Sequence, residues 1–423
     1  MFSPDKNESG SALPEAVARH LDADELLRLT SDILAIESHR NAPGHETPVA
    51  THIRDVLRSE GIDAELKDVC DGRCNVIAVL PGTGSGPTLM FNGHIDTVPP
   101  GDMPRAFEPH IVGGNLFARG ACDMKAGVAA QYYAMIALKR AGVPLAGDLI
   151  FTGVVGEEDG TSEGSLDVIA NGPKADMVVV AEPSDLDVIV AHKGFDYYRI
   201  EVEGVPTHSS RPTNGVSAIY KAANIITAIE ERLIPRTNER LHQLLGAASV
   251  NVSAVIGYAR NEMVTAVRRA PGDKPAGAVV PDICTIYMDR RRIPGETLAE
   301  IEAGFEALLN ELRAADPSLD AKLFFTPGSE DLYSHPPLDT DPSHPLVTEC
   351  LRLAAQEVGI PPVPKGVPYW SDAALFNAMQ GTPAIVFGPG HIGVAHSNSE
   401  FVPVHELIKA ARVNAGLALS LLS

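Results

Sequence analysis

Short apolar runs that end at a charged side chain are the feature that most restricts the fold of this sequence. Thr88 to Phe91 reads as a buried strand, and the turn residues Asn92 and Gly93 end it directly before His94. An imidazole therefore leaves the end of a strand. A carboxylate or an imidazole follows each of five such strand-like segments, which gives the candidate set His94, Asp123, Glu157, Glu158, Glu182 and His396.

The segments around these strands have the pattern of an α/β domain. Helix-like stretches at 47–60, 124–142 and 344–358 alternate with apolar strands such as 148–155 and 177–180. The charged side chains then follow the carboxyl ends of strands, where open α/β sheets bind their ligands. We therefore predict a mixed, mostly parallel sheet that is flanked by helices.

From about Phe195 the pattern changes to that of a separate α+β unit. Strand-like segments at 195–203, 249–256, 280–288 and 321–325 alternate with helical ones at 215–232 and 297–314. The α/β pattern resumes after residue 343, so this second unit is predicted to be an insertion with an antiparallel sheet. Residues 268–279, RRAPGDKPAGAV, form the predicted mobile loop.

Charge and composition exclude several classes of function. The 423 residues are too many for one ordinary hydrophobic core, so two domains are expected. The formal charge of −21 disfavours nucleic acid and anionic membranes as partners. The first residues lack a signal-peptide pattern, and no apolar run reaches the roughly 18 residues of a membrane span. Five cysteines, an odd number, indicate free thiols rather than a disulfide framework. These features predict a cytoplasmic protein with a small-molecule substrate.

The candidate set has the chemistry of a two-metal hydrolytic site. Zinc, manganese and cobalt bind imidazole nitrogen and carboxylate oxygen, and Asp123 is a candidate bridge between two ions. Of the neighbours Glu157 and Glu158, one can bind metal while the other takes a proton from water. Asp96, two residues after His94, can hold the imidazole nitrogen that does not face metal.

Each of these residues also has an ordinary structural interpretation. Glu157, Glu158 and Asp159 can form a solvated acidic turn, Asp123 can cap a helix, and His396 can be a loop histidine. The recurrence of such groups after successive strands favours the functional interpretation.

The chain resembles the zinc-dependent family of aminoacylases, acetylornithine deacetylases, succinyl-diaminopimelate desuccinylases and glutamate carboxypeptidases. The matching motifs occur in order over most of the chain: NGHIDTVP, RGACDMKAG, GEEDGTSEGS, AEPS, GVPTHSSRP, DRRRIPGE and FGPGHIGVAHSNSE. The resemblance implies a catalytic domain made of 1–193 and 331–423, with an inserted lid at 194–330 that forms a homodimer and allows higher assembly.

The resemblance also assigns roles to the candidate residues. It implies that His94, Asp123 and Glu182 bind one divalent ion, and that Asp123, Glu158 and His396 bind the other. Glu157 would be the general base and Asp96 the partner of His94. Zinc is the expected metal, with manganese or cobalt as alternatives. The peptide bond between Asp123 and Met124 is expected to be cis.

Two residues of the lid have counterparts in the family. His208, in GVPTHSS, would stabilise an oxyanion on the substrate carbonyl, acting from the other subunit. Arg291 would grip a substrate carboxylate, a task that suits a guanidinium. Strand alternation places Arg290 and Arg292 on the opposite face from Arg291, and we predict that they point toward solvent.

A glycine turn near the end of the chain is the remaining substrate-binding candidate. Gly388 and Gly390 allow the backbone to approach a ligand closely. Two residues that depart from the family pattern would lie near the substrate. Ala278 stands where relatives usually have asparagine, behind an apparent insertion at 260–277, and His391 follows the glycine turn where aspartate is common.

The leading hypothesis is hydrolysis of an amide C–N bond in a small carboxylate-bearing molecule, such as an N-acyl amino acid. The alternatives are a carboxypeptidase or dipeptidase, and an aminohydrolase that acts on an atypical, for example aromatic, amine. A non-catalytic metal-binding homologue is a further alternative, against which the presence of Glu157 argues.

Overall fold

The computed structural model describes residues 13–84, 86–260, 278–326 and 334–423. The α-helices are α1 Glu15–Ala18, α2 Ala23–Leu34, α3 Thr47–Ser59, α4 Lys125–Ala141, α5 Glu163–Asn171, α6 Ala218–Ala228, α7 Ile234–Thr237, α8 Leu298–Ala315, α9 Pro345–Glu357, α10 Ala373–Leu375 and α11 Val404–Leu421. Segments Ile229–Leu233 and Phe376–Gln380 are π-helical. No helix in the described ranges is long and apolar enough to cross a bilayer.

The strands complete the list of regular elements. They are β1 Asp63–Cys70, β2 Arg73–Leu80, β3 Leu89–His94, β4 His110–Val112, β5 Asn115–Phe117, β6 Leu149–Val154, β7 Met177–Val180, β8 Ile189–His192, β9 Gly194–Glu203, β10 Leu241–His242, β11 Gly246–Ala247, β12 Ser249–Tyr258, β13 Ile283–Arg292, β14 Asp320–Thr326, β15 Leu338–Asp339, β16 Lys365–Val367, β17 Ala384–Val386 and β18 Phe401–Pro403.

The chain divides into two compact units. The first consists of residues up to His192 together with Leu338–Ser423, and the second, inserted unit is Lys193–Pro337. The predicted junctions were 193/194 and 330/331. The second junction lies later because Phe195 pairs with His335 in a β-bridge, which keeps the residues around His335 with the inserted unit.

The first unit is built on a nine-stranded sheet in the order β1-β2-β6-β3-β7-β17-β8-β15, with β16 beside β8. Its centre is parallel: β3 pairs with β6 and β7, and β17 pairs with β7, all in parallel register. The predicted α/β class with a mostly parallel sheet is confirmed. Central strands such as MVVV in β7 are buried along their whole length, as expected for strands covered on both faces.

Helix α4 packs closely against this sheet and starts two residues after Asp123. An added Cβ on Gly127 would lie 2.1 Å from the carbonyl oxygen of Ala181, so only glycine permits this approach. The buried Lys125 donates to the carbonyls of Ile33 and Ile36 at 3.1 and 2.8 Å. These contacts fix the start of α4, and Gly142 with φ of 62° ends it as predicted.

The inserted unit has an α+β fold whose main sheet is antiparallel, in the order β12-β13-β9-β14, and β10 and β11 form a separate two-stranded antiparallel sheet. Helices α6 and α8 supply the apolar side chains that cover one face. Its core contains Tyr198, Ile225, Ile286, Phe305 and Leu308, among others. The predicted mobile loop 268–279 and the predicted insertion at 260–277 lie almost wholly outside the described residues.

One prediction about the inserted unit is wrong. Arg290 and Arg292 do not point toward solvent, because they are only 3% and 7% exposed. Along β13 the buried positions are Cys284, Ile286 and Met288, and the alternation carries the two arginines onto this same face. Each guanidinium is neutralised there: Arg290 pairs with Glu296 at 2.5 Å, and Arg292 pairs with Asp196 at 2.9 Å.

Candidate metal centre

The functional side chains of the first unit leave adjacent strands at one edge of the sheet. His94 ends β3, the pair Glu157 and Glu158 follows β6, and Glu182 follows β7. Because β6, β3 and β7 are parallel neighbours, their carboxyl ends meet at this edge. The connection after β17 returns to the same edge and supplies His396. All six residues of the candidate set therefore lie together.

The first ligand group consists of His94, Asp123 and Glu182, all buried. Nε2 of His94 lies 3.0 Å from Oδ1 of Asp123 and 3.6 Å from Oε1 of Glu182. The ligand atoms of this group all lie within 4.8 Å of one another. One nitrogen and two carboxylate oxygens thus face a common point.

The second ligand group consists of Asp123, Glu158 and His396. Nε2 of His396 lies 3.2 Å from Oδ2 of Asp123 and 3.0 Å from Oε2 of Glu158. His396 is about half exposed and has a left-handed backbone with φ of 59°. Asp123 directs Oδ1 at His94 and Oδ2 at His396, which is the arrangement of a bridging carboxylate. The peptide bond from Asp123 to Met124 is cis, as expected.

Asp96 connects the two loops that carry these ligands. Nδ1 of His94 lies 3.1 Å from the carbonyl oxygen of Asp96 and 3.5 Å from its Oδ1. A proton on Nδ1 leaves the lone pair of Nε2 facing Asp123. The Asp96 carboxylate also accepts the backbone N–H of Glu158 at 2.9 Å and that of Glu157 at 3.4 Å. It therefore orients His94 and the Glu157–Glu158 turn at once.

Glu157 lies beside both groups and belongs to neither. Its Oε2 is 4.0 Å from Nε2 of His94, and its side chain is 14% exposed. Burial raises the pKa of Glu157 well above its ordinary value, and the charges of Asp372, Glu158 and Asp123 add to this, against the opposing effect of His94. This carboxylate is thus a proton acceptor that holds its proton more readily than a free glutamate.

The remaining pKa values show a surplus of buried negative charge. Burial and the charge of Asp123 raise the pKa of Glu158 to about 7, and the same two causes raise that of Glu182. Hydrogen bonds to Asp123 and Glu158 raise the pKa of His396 to about 10. Burial opposes the charge on His94, but the surrounding carboxylates outweigh it and raise its pKa. For Asp123, hydrogen bonds from the two histidines outweigh burial and lower the pKa.

This donor set fits a pair of divalent cations. Each group offers one imidazole nitrogen and two carboxylate oxygens, the ligands preferred by zinc, manganese and cobalt. The three carboxylates of the two groups, with Glu157 beside them, face two histidines, and cations would neutralise the excess charge that raises the glutamate pKa values. The thiol of Cys122, next to Asp123, points instead to the carbonyl of His391 at 3.3 Å. All five cysteines are free thiols, as predicted.

A buried ion pair that was not predicted from the sequence supports Asp123. Glu400 accepts the backbone N–H groups of Cys122 and Asp123 at 2.9 and 3.0 Å, and its other oxygen binds Arg119 at 2.5 Å. Both charged side chains are at most 2% exposed. A signal was present, since Arg119 lies in RGACD and Glu400 ends HSNSE, two of the motifs that carry the candidate ligands.

A second missed residue is Asp372, whose charge contributes to the raised pKa of Glu157. Its Oδ2 accepts the hydroxyl of Ser165 at 2.5 Å, and Oδ1 has no hydrogen-bond partner among the described residues. Burial raises its pKa to about 6. The sequence places it in the SDAALF segment, which reads as the start of a helix and gave no reason to connect it with Glu157.

The glycine turn is explained by packing within the first unit. An added Cβ on Gly388 would lie 2.3 Å from the carbonyl oxygen of Ala181 and 2.5 Å from that of Glu182. Gly390 needs its φ of 93°. His391 is exposed, with Nε2 3.8 Å from Oδ2 of Asp185. The turn therefore supports the Glu182 segment, and its role toward substrate stays a prediction.

His208 and Arg291 belong to the inserted unit. Nδ1 of the exposed His208 contacts Oγ of Ser210 at 2.8 Å, and the backbone of His208 forms a bridge with Val279. The Arg291 side chain is one-third exposed, pairs with Asp289 at 3.1 Å and stacks over Phe195 at 4.8 Å from the ring centre. Arg291 is thus held by an aromatic face and a carboxylate with part of its guanidinium accessible.

Comparison with known proteins agrees with this geometry. A family model described as peptidase family M20/M25/M40 matches residues 90–420. Acetylornithine deacetylase of Myxococcus xanthus is 28% identical over 402 residues, covering 92% of this chain and 96% of that protein. N-formyl-4-amino-5-aminomethyl-2-methylpyrimidine deformylase of Bacillus subtilis is 28% identical over 440 residues, covering 95% of each chain. The crystal structure of aminopeptidase PepT from Bacillus cereus has a TM-score of 0.74, covering 96% of this chain and 100% of that chain at 20% identity.

Proposed function

This chain belongs to peptidase family M20/M25/M40, and from that premise we propose that it removes the acyl group from a small N-acylated, carboxylate-bearing molecule. It is a hydrolase of carbon–nitrogen bonds, as are the members of this family that it matches. The observation that carries this proposal is that the acidic residues occupy two different kinds of position. Asp123 faces both ligand groups, while Glu157 lies beside them without belonging to either.

We assign the ligands accordingly. His94, Asp123 and Glu182 would hold one divalent ion, and Asp123, Glu158 and His396 would hold the other, with zinc as the expected metal. Asp96 would keep His94 in the tautomer that exposes Nε2. Two such ions supply Lewis-acid polarisation of a carbonyl and lower the pKa of water.

Glu157 would carry the protons of the reaction. Its carboxylate takes a proton from the attacking water as the water oxygen bonds to the acyl carbon. The C–N bond then breaks, and Glu157 delivers that proton to the leaving nitrogen, which departs as an amine. The acyl group leaves as a carboxylic acid. Burial raises the pKa of Glu157 in the metal-free protein, and two bound cations would lower it again, so that the carboxylate can accept the proton.

The inserted unit would bind and orient the substrate. Arg291, held by Asp289 and Phe195, would pair with the substrate carboxylate. His208 would donate to the developing oxyanion from the second subunit of a homodimer. These two roles, and the function of this unit as a lid, follow from the family resemblance and from the accessibility of both side chains.

A second candidate is deacylation of a heteroaromatic amine. The Bacillus subtilis relative is named as a deformylase of an N-formyl aminopyrimidine, at the same 28% identity as the acetylornithine deacetylase. The exposed His391 after the glycine turn, and Ala278 in place of the usual asparagine, leave room for a substrate unlike those of the deacetylases. A dipeptidase activity is the third candidate, since solved structures of similar fold include human carnosine dipeptidase 1.

One experiment separates these candidates. Protein loaded with zinc, manganese or cobalt is incubated with pooled N-acyl amino acids, N-formyl heteroaromatic amines and dipeptides, and products are measured by mass spectrometry. We expect chelator-sensitive release of an amino acid from one acyl class. Turnover of the heteroaromatic amides alone would favour the second candidate, and turnover of dipeptides alone the third. No chelator-sensitive product from any pool would contradict the proposal.

Replacing Glu400 with glutamine tests how much the metal centre depends on the buried ion pair. We expect metal affinity to fall about 10- to 100-fold, as when other supports of metal ligands are lost, because Asp123 is no longer held by a charged acceptor. Leaving Arg119 unpaired should also lower the free energy of unfolding by about 3 kcal/mol. Affinity is measured by competition with a chromogenic chelator at a temperature where the variant is fully folded.

Glu406 provides the matched control for this variant. It accepts the backbone N–H of Gly390 at 2.8 Å, and Asp123 is not among its hydrogen-bond partners. Glu406→Gln should therefore bind metal as the unmodified protein does. Equal metal affinity in the folded Glu400 and Glu406 variants would show that the ion pair supports the fold alone.

His396 should make the metal-free protein pH-dependent. Its pKa is raised from 6.5 to about 10, so protonated His396 stabilises the fold fully below pH 6.5, and this stabilisation is lost as the pH rises toward 10. Metal binding needs the neutral imidazole, so metal affinity should rise over the same range. Thermal unfolding and metal titrations between these pH values, compared with His396→Gln, measure both slopes. Parallel slopes in the two proteins would contradict the assignment.

A further inference from the structure

A cavity in the inserted unit lies between helix α8, the segment Ile229–Thr237 and the sheet. Its volume is about 410 Å³, within the usual range for small-ligand sites. The apolar part of its wall comes from Leu233, Val250, Ile301 and Phe305, and the charged part from three arginines and two glutamates. It is therefore an amphipathic cavity.

The two glutamates of the cavity are already engaged by the protein. Glu296 accepts from Arg290 at 2.5 Å and from the backbone N–H of Ile293 at 2.8 Å. Glu300 accepts from the N–H and the hydroxyl of Thr297 at 2.9 and 3.0 Å, in the capping box of α8. Both oxygens of Glu296 and Oε2 of Glu300 are thus engaged in contacts within the protein.

Two of the three arginines are also paired, Arg290 with Glu296 at 2.5 Å and Arg236 with Glu311 at 3.1 Å. Arg240 has one ion pair among the described residues, with Glu300 at the outer limit of 4.0 Å. Its guanidinium rests on Gly295, where an added Cβ would lie 2.5 Å from Nη2, so the glycine positions the group. Among the wall arginines, Arg240 is therefore the one whose charge is least neutralised by the described residues.

Gly304 keeps the cavity open. It lies inside helix α8, where glycine costs about 1 kcal/mol relative to alanine. Packing does not require it, because an added Cβ would meet Leu233 at an ordinary 3.8 Å. Glycine at this position therefore destabilises the helix and leaves space beside the apolar side chains of the wall.

We propose that this cavity binds a small monocarboxylate with an aliphatic or aromatic body. The carboxylate would pair with Arg240, whose planar guanidinium suits it, and the apolar body would cover Leu233, Ile301 and Phe305. Arg290 in the wall and Arg291 in the proposed substrate site are neighbours on β13 and lie on opposite faces of the sheet. This site is thus distinct from the one that would grip the substrate carboxylate, and it does not depend on the proposed reaction.

Calorimetric titration of the intact protein with hexanoate and phenylacetate, and with hexanamide and phenylacetamide as uncharged equivalents, tests the proposal. We expect saturable binding of at least one carboxylate, with its amide at least about tenfold weaker, because a charged hydrogen bond is lost. Arg240→Gln should weaken the carboxylate by a similar factor. Gly304→Leu, which fills the apolar end, should weaken carboxylate and amide alike.

Arg291→Gln is the matched control, since it makes the same change on the opposite face of the sheet. Binding that survives Arg291→Gln and is lost in both cavity variants supports the proposal. Three results would overturn it: no saturable binding, equal binding of acid and amide, or binding that Arg291→Gln abolishes while Arg240→Gln does not. The Gly304 variant keeps the test valid if the Arg240 variant is poorly folded.

Discussion

Glu157→Gln should retain both metal ions and lose turnover, with kcat lower by about 100- to 10,000-fold, the contribution typical of a general base. Glutamine keeps the volume of the side chain and can still accept a hydrogen bond, but it cannot take a proton from water. Because Glu157 lies outside both ligand groups, the metal content should not change. Steady-state kinetics together with metal analysis of the purified variant measure both quantities.

Asp159 offers a control in the same acidic turn. Its carboxylate pairs with Arg73 and Arg40 at 3.5 and 3.8 Å, and neither metal group includes it. Asp159→Asn should therefore change kcat by only a few fold, within the effect of losing partly exposed ion pairs. If Glu157→Gln keeps full activity, or if both variants lose activity equally, Glu157 is not the base.

Asp123→Asn should lose both ions and all measurable activity. The two oxygens of Asp123 face different histidines, at 3.0 and 3.2 Å. An asparagine keeps one oxygen and turns an NH₂ group, which cannot bind a cation, toward the other ligand group. We expect metal affinity to fall at both positions by more than about 100-fold. That is the largest loss usually seen when a residue that only supports a metal ligand is removed. Metal content after dialysis, measured by mass spectrometry, checks this.

The ligands that belong to one group alone provide the comparison. Glu182→Gln should weaken one ion and Glu158→Gln the other, each leaving about one ion per chain after dialysis against a weak chelator. A variant at Asp123 that still holds one ion tightly would contradict the bridging assignment. The pattern across the three variants distinguishes a shared ligand from a general loss of folding, which unfolding curves measure independently.

The sequence was sufficient for the candidate ligands because they follow strands. His94, Glu158 and Glu182 each come directly after an apolar run, and parallel strands bring such positions to one edge. Glu400 and Arg119 lie in two of the motifs that carry the candidate ligands, but their pairing was not predicted because it joins positions 281 residues apart. The same limit applies to Asp372.

Local sequence patterns also led to a wrong prediction where charged side chains are buried. Strand alternation placed Arg290 opposite Arg291, but the choice of the buried face needed the neighbouring apolar positions Ile286 and Met288, which share the parity of Arg290. Strand β1, DAELKDVC, was not predicted because it lies at the edge of the sheet and carries charged residues on its exposed side. Helix α11 was not predicted either, although its apolar positions are buried.

The contact between Phe195 and His335 has a consequence for chain entropy. The two residues form a β-bridge, and their rings stack with centres 3.9 Å apart, so the inserted unit brings its own two ends together. Glu158 and His396 are 238 positions apart, but most of the residues between them belong to the inserted unit, whose two ends already lie together. For the first unit the insertion therefore acts as a short loop. Changes in the length of the insertion should cost the first unit almost nothing in loop-closure entropy.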